Sequence, residues 1–445
     1  MATKNYLDAW YKKEDYWAII IAVGLILTGT IAFLGGSAKW LAAMAINIPG
    51  WAGDFGKIAE YLSKNATGVA ILFSFFAVVF TAAGRVLGYK TGNYLTSFSA
   101  LFLLSIFVTI LGSNKFLKEW QLETPLLALL TGLIISNTIK LPQWFQAGLR
   151  TEFYVKTGIV LMGATLPFTV IMQAGPLAML QATIVAVVTF ATIYYAATRL
   201  FGLDRRFGAT LAAGGSICGV SASIAIGGAC RAEKEHVSVS ISMVIIWAVA
   251  MIFLLPTLAK SLGLAAGPAG AWIGTSEFAD AAGFAAAEAM GDERAVKTFT
   301  LMKVVGRDMF VGIWALLAAF LSVTRWENKT AAEASQVSIK EIWVRFPKFI
   351  IGFLAASVFT TLVLTYLDPK LGANFTKEVI GPIKSLRGWT FTWTFLCIGL
   401  TTRLKDLTSF GWKPLAAFAI GVIINVPLGY VLSNVLFVDY WLGVK

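Results

Sequence analysis

Ala213-Gly-Gly-Ser-Ile-Cys-Gly-Val-Ser-Ala-Ser-Ile-Ala-Ile-Gly-Gly228 sets five glycines and three serines inside an apolar stretch that runs from Phe207 to Cys230. In hydrocarbon a helix must satisfy its backbone N–H and C=O groups internally, and each Gly weakens it by about 1 kcal/mol relative to Ala. This density of Gly and Ser predicts a helix interrupted between Gly214 and Ser223, its freed backbone facing protein or a water-filled cavity. The N–H groups that open the second half-helix, beside the hydroxyls of Ser216, Ser221 and Ser223, form an anion site that needs no buried cation. Close helix packing through small residues is the competing use of the same composition.

Outward from this stretch the pattern is apolar throughout. Of the 445 residues 58% are hydrophobic and 13% charged, and the mean hydropathy is +0.75. A soluble domain carries about 25% charged residues. Runs suited to crossing a bilayer are Trp17–Gly35, Thr67–Gly88, Tyr94–Gly112, Thr124–Ile139, Val155–Ala174, Pro176–Thr198, Phe207–Cys230, Val237–Leu262, Gly270–Met290, Val296–Thr324, Phe346–Leu367, Gly388–Leu404 and Lys413–Phe437. They are continuous rather than alternating, which excludes a transmembrane β-barrel. The reading is an all-α polytopic membrane protein of about 11–13 spans. Residues 1–120 hold about three of them as a scaffold or dimerisation segment. Residues 121–445 form the core, with a polar loop at 325–345.

A net charge of +12 points to nucleic acid in a soluble protein; here the basic residues flank spans, so the expected partner is the lipid bilayer and not nucleic acid. If all thirteen runs cross, 20 Lys and Arg lie on the side of the N-terminus and of the 325–345 loop, and 14 on the other. That bias predicts a cytoplasmic N-terminus in the cell inner membrane. The first run has no clear small-residue cleavage site and reads as a retained span. Cys218, Cys230 and Cys397 sit in apolar segments, and His236, the single histidine, lies in a charged loop. They supply no zinc ligand set. No phosphate-binding Gly-rich loop or nucleophile elbow occurs, so neither cofactor nor enzymatic activity is expected.

Two charged segments stand out. Gly274-Thr-Ser-Glu-Phe-Ala-Asp-Ala-Ala-Gly-Phe-Ala-Ala-Ala-Glu288 carries Glu277, Asp280 and Glu288, within about 80° of one face if the segment is one helix. The next span sets Lys303 and Arg307 four residues apart on one face, with Asp308 beside them. Charges deep in a span are costly and pair or line a pathway. An interfacial helix with its acids in water is the alternative for the first segment. An internal repeat also shows. Gly163 and Gly175 in the first copy match Gly399 and Gly411 in the second, with Thr165 and Thr401 two residues after the first glycine of each. The copies lie seven span intervals apart, in the fifth and twelfth runs, and an odd number of intervals makes them cross in opposite senses, the arrangement of inverted-repeat transporters.

Gly158-Ile-Val-Leu-Met-Gly163, Gly214-Gly-Ser-Ile-Cys-Gly219, Gly270-Ala-Trp-Ile-Gly-Thr-Ser276 and Leu301-Met-Lys-Val-Val-Gly-Arg-Asp308, in this order, resemble the YeiH-like sulfate exporter family of conserved, mostly uncharacterised bacterial membrane proteins. The resemblance covers roughly residues 120–437. It implies kinship with cation/proton antiporters and bile-acid-type symporters, inverted repeats crossing near the bilayer centre, and an elevator-like or rocking carrier. Many members carry a His-Glu pair after the Gly-Ala-Trp-Ile-Gly element. Here Thr275-Ser-Glu-Phe-Ala-Asp280 stands instead, which removes proton coupling through histidine.

The expectation is a secondary transporter of a small anion, sulfate or an organic sulfonate, working by alternating access with H⁺ or Na⁺ as coupling ion, without a cofactor, and assembling as a homodimer. Substrate is assigned to Gly214, Gly215, Ser216, Cys218, Gly219, Ser221, Ser223, Thr275, Ser276, Lys303 and Arg307, and coupling to Glu277, Asp280 and Asp308. The runner-up is a cation/proton antiporter built on those three acids, and a channel or membrane enzyme is the reading from another class.

Overall fold

The computed structural model describes residues 10–36, 38–119, 124–308, 314, 317, 347–403 and 411–444. The loop at 325–345 and, within the 296–324 span, residues 309–313, 315–316 and 318–324 lie outside the described residues. In chain order the helices are α1 Glu14–Leu34, α2 Lys39–Ala43, α3 Phe55–Lys64, α4 Ala66–Val86, α5 Thr91–Gly112, α6 Lys115–Glu119, α7 Thr124–Thr138, α8 Gln143–Gln146, α9 Thr151–Gly163 and α10 Phe168–Tyr195. Next come α11 Arg205–Ser216, α12 Val220–Ala229, α13 Lys234–Ser261, α14 Ala266–Ser276, α15 Asp280–Glu288 and α16 Glu293–Thr300. The last are α17 Phe349–Tyr366, α18 Pro369–Phe375, α19 Gly381–Thr401, α20 Trp412–Val431 and α21 Val438–Leu442.

Among the described residues no strand forms, and seven helical segments are long and apolar enough to cross a membrane. The protein is an all-α polytopic membrane protein. Ile31, Val78, Leu103 and Ile423 are 67–68% exposed; such side chains burden a soluble protein but suit a lipid-facing surface. Helix starts follow local chemistry. The Asp204 carboxylate accepts the N–H groups of Arg206 and Phe207. Asp368 does the same for Lys370 and Leu371, ahead of Pro369 in the first turn. Each such cap contributes about 1 kcal/mol.

Two boundaries differ from the sequence reading. The spans expected to part at Gly175–Pro176 part at Ala164–Pro167 instead, and Pro176 lies within the 28-residue α10. One Pro removes one hydrogen bond and bends a helix, but in hydrocarbon a helix remains the cheapest way to satisfy the backbone on either side. His236, expected in a loop, sits in the first turn of α13 with its ring stacked on Phe207, centroids 4.4 Å apart.

The helices form two compact units. The first comprises residues 1–169 and 348–403, so α1, α4 and α5 share it with α7, α9, α17 and α19. Here α1 lies against α9 and α17, and α7 against α19. Its core is aromatic: Trp393 meets Phe76 and Phe98 at centroid distances of 4.9 and 5.2 Å and donates to Ser105 Oγ at 3.1 Å. Lys156 pairs with Asp15 at 2.9 Å. The repeated glycines have the same task in this unit. A Cβ on Gly163 would strike the Phe353 carbonyl of α17, and one on Gly399 would strike the Leu129 carbonyl of α7. Thr165 and Thr401 each bond back to a carbonyl of their own helix end, at 2.9 and 2.7 Å. The later members of the repeat diverge, because Gly175 is inside α10 while Gly411 is the left-handed residue before α20.

The second unit comprises residues 170–347 and 404–445. Its described helices are most of α10, then α11–α16, α20 and α21. In it α11 packs on α12 and α13, and α14 on α16 and α20. All the charged and Gly/Ser motifs singled out above fall within this unit.

Candidate functional site

The Gly/Ser stretch is broken as its composition predicts. α11 ends at Ser216 and α12 begins at Val220. Between them Ile217 adopts φ −114°, ψ −105° and Gly219 adopts φ 70°, ψ −115°. The second of these is glycine territory, since a Cβ destabilises positive φ. The half-helices of 12 and 10 residues are about 15–18 Å long at 1.5 Å per residue, half of a hydrocarbon core of about 30 Å.

The segment read as one acidic helix is also two. α14 ends at Ser276 and α15 starts at Asp280, with Glu277 and Ala279 extended at ψ 136° and 142°. Glu277 therefore lies in the break rather than on a helical face shared with Asp280 and Glu288. It is fully buried, which excludes the interfacial alternative for this residue. Its Oε1 accepts the N–H groups of Phe278 and Ala279 at 2.9 and 3.3 Å. The carboxylate thus occupies backbone donors that the break releases, while Oε2 has no hydrogen-bond partner among the described residues. The two breaks touch, and a Cβ on Gly219 would collide with the Phe278 carbonyl oxygen.

Lys303 and Arg307 join this crossing from the segment after α16. Leu301–Val305 is a π turn, with Gly306 N–H donating to Leu301 O at 2.9 Å; such bulges concentrate at functional sites. Lys303 Nζ donates to Ile217 O at 3.2 Å and to Glu277 O at 3.1 Å, one carbonyl from each break. Asp280 Oδ1 lies 3.6 Å from it, the pairing of cation and acid that the sequence led one to look for. Arg307 Nη1 donates to Gly274 O, Thr275 O and Glu277 O at 3.1, 2.9 and 3.2 Å. Helices end in unsatisfied carbonyls carrying partial negative charge. The two cations meet that need at the C-terminal ends of α11 and α14. Cys218, buried beside the first break, lies within electrostatic reach of Asp308, Asp280, Lys303 and Arg307.

The remaining candidates divide. Gly214 and Ser223 pack against each other, and Ser223 Oγ is 2.9 Å from Ser240 Oγ, which donates to Thr210 O. Gly215 admits Ile193 and Phe418. Ser216 bonds back to Ala212 O at 2.7 Å. These four serve helix packing in this conformation. Ser221, in the first turn of α12, has an exposed side chain. Thr275 Oγ1 bonds to Trp272 O at 2.8 Å, while buried Ser276 Oγ has no partner among the described residues. Asp308 is buried beside Arg307. Sequence reasoning passed over Asn425 as a site residue. Its Nδ2 donates to Thr189 Oγ1 at 2.9 Å and to Thr275 O at 3.3 Å, tying α20 and α10 to the α14 end. A buried amide two residues before Pro427 in an apolar run is the signal that marks it.

Residues 96–418 match the family profile described as conserved hypothetical protein 698. A UPF0324 membrane protein of Rhodopirellula baltica is 32% identical over 85% of this chain and 69% of its own length. One from Nitratidesulfovibrio vulgaris is 29% identical over 87% of this chain and 68% of its own length. One from Nitrosomonas europaea is 26% identical over 95% of this chain and 96% of its own. No solved structure matches the chain.

Proposed function

The chain belongs to the conserved hypothetical protein 698 family of membrane proteins, and from that premise we propose that it is a secondary transporter of a small anion, sulfate or an organic sulfonate, working by alternating access. One observation carries the reading: two interrupted helices of a membrane protein meet break to break, with Lys303 holding a carbonyl from each. Unwound backbone inside a bilayer is tolerated only against protein or a water-filled cavity, and paired discontinuous helices near the midplane build the substrate sites of carriers.

The preference for an anion follows from which helix ends are occupied. Lys303 and Arg307 neutralise the C-terminal ends, whereas α12 starts at Gly219 with no side-chain cap on its N–H groups. That leaves a positive helix end at the break, where negative charge is favoured. The basic bias of the loops orients the N-terminus to the cytoplasm of the inner membrane.

The test is counterflow in proteoliposomes loaded with labelled sulfate or methanesulfonate, with imposed pH or Na⁺ gradients. Saturable exchange of either anion is the expected result. A second reading draws on Glu277, whose buried Oε2 lacks a partner among the described residues: cation/proton antiport through Glu277, Asp280 and Asp308. Na⁺-driven proton movement without anion exchange would decide for it and against anion transport.

A further inference from the structure

The two buried cations are held differently. Lys303 is committed to two carbonyls and faces Asp280. Arg307 is 2% exposed, and all its bonds run through Nη1, to three carbonyls at the α14 end. Its Nε and Nη2 have no hydrogen-bond partner among the described residues. No described carboxylate lies within ion-pair distance of it, although Asp308, Asp280, Glu277 and Cys218 act on its charge from nearby. Nε–H and one Nη2–H point the same way from the planar group. They present two parallel donors matched to two oxygens of one oxyanion. Burying such donors without acceptors is costly, and the three carbonyl bonds on Nη1 hold the fork in a set orientation.

We propose that the Nε–Nη2 edge of Arg307 is the group that grips the transported anion, and that it selects sulfates, sulfonates or carboxylates, which offer two oxygens side by side, over spherical halides. The assignment rests on the anion-transport reading above. It separates the roles of the two cations. Lys303 is a positioning residue that joins the two breaks, and Arg307 is the substrate ligand. A lysine at 307 keeps a positive charge but has no fork, so the exchange removes the geometry and spares the charge.

The test uses the purified full-length protein in detergent, with sulfate, methanesulfonate, acetate and chloride titrated by calorimetry at constant sodium. The expected result is oxyanion binding at least about tenfold tighter than chloride binding in the wild type. Arg307→Lys should lose at least about tenfold in oxyanion affinity with chloride affinity unchanged. Oxyanion binding by Arg307→Lys within twofold of wild type overturns the assignment while leaving anion transport standing. Absence of any anion binding or exchange by the wild type overturns both. Should Arg307→Lys elute as aggregate, the wild-type series decides: chloride binding as tight as sulfate refutes the fork, and oxyanion preference supports it.

Discussion

Replacing Lys303 by Met removes the ammonium and keeps an unbranched side chain of similar length. Glu277 O retains Arg307 as a donor at 3.2 Å, but Ile217 O loses the Lys303 bond at 3.2 Å. Asp280 loses the counter-charge 3.6 Å away. A buried carbonyl deprived of its donor costs about 1–3 kcal/mol, and removing one partner of a buried ion pair about 3–5 kcal/mol. The terms overlap, because desolvation of the lysine is relieved at the same time, so the expected loss is about 3 kcal/mol. For a domain of this size that is a fall of about 6–12 °C in melting temperature, read by tryptophan fluorescence in detergent. The double variant Lys303→Met/Asp280→Asn should lose less than the sum of the single losses, by about 0.5–3 kcal/mol. Melting of Lys303→Met within about 1 °C of wild type would refute the claim that this ammonium joins the two breaks.

Other positions test the same structure. Gly219→Ala should lower the melting temperature by several degrees and abolish exchange, because φ 70° is strained for alanine and its Cβ meets the Phe278 carbonyl; Gly388→Ala, at an exposed helical site with open space around it, should be neutral or slightly stabilising in the same assay. Gly132→Ala should destabilise by about 1–3 kcal/mol, since its Cβ would sit 2.8 Å from the Gly399 Cα and the Leu400 nitrogen, and unchanged melting would mean that α7 and α19 separate without loss. Asp292 accepts the Arg294 N–H that starts α16, and Arg294 holds its carboxyl below the ordinary carboxylate range. A depressed folded pKa gives stability that is present above the unfolded value of about 3.9 and lost as pH falls through the folded one. Asp292→Ala should therefore melt lower at neutral pH, by about 1 kcal/mol for a lost cap, and the gap should close below about pH 4.

The membrane class and the first helix break were legible in the sequence because both rest on local free energies. Twenty apolar residues favour hydrocarbon whatever their neighbours are, and Gly and Ser at 213–228 weaken a helix wherever it packs. Lys303 and Arg307 were legible as interior groups for the same reason, since the residues around them exclude water. The second break was not. Glu277-Phe278-Ala279 uses ordinary extended dihedrals, so no glycine marks it, and it forms because the Glu277 carboxylate and the two cations satisfy the backbone it exposes. The two cations reach it from 26 to 33 residues away, and Lys303 at the same time holds the carbonyl of Ile217, 86 residues distant. Periodicity put three acids on one helical face, whereas tertiary contacts put one in the break, one against Lys303 and one farther along α15. Ser223 and Gly214 read as site residues by composition, yet they pack α11, α12 and α13 together. Composition states that a backbone will be freed or a small residue tolerated. Only the fold decides which distant donor reaches the freed carbonyl, because that choice is made by geometry between helices and leaves no periodic trace along the chain.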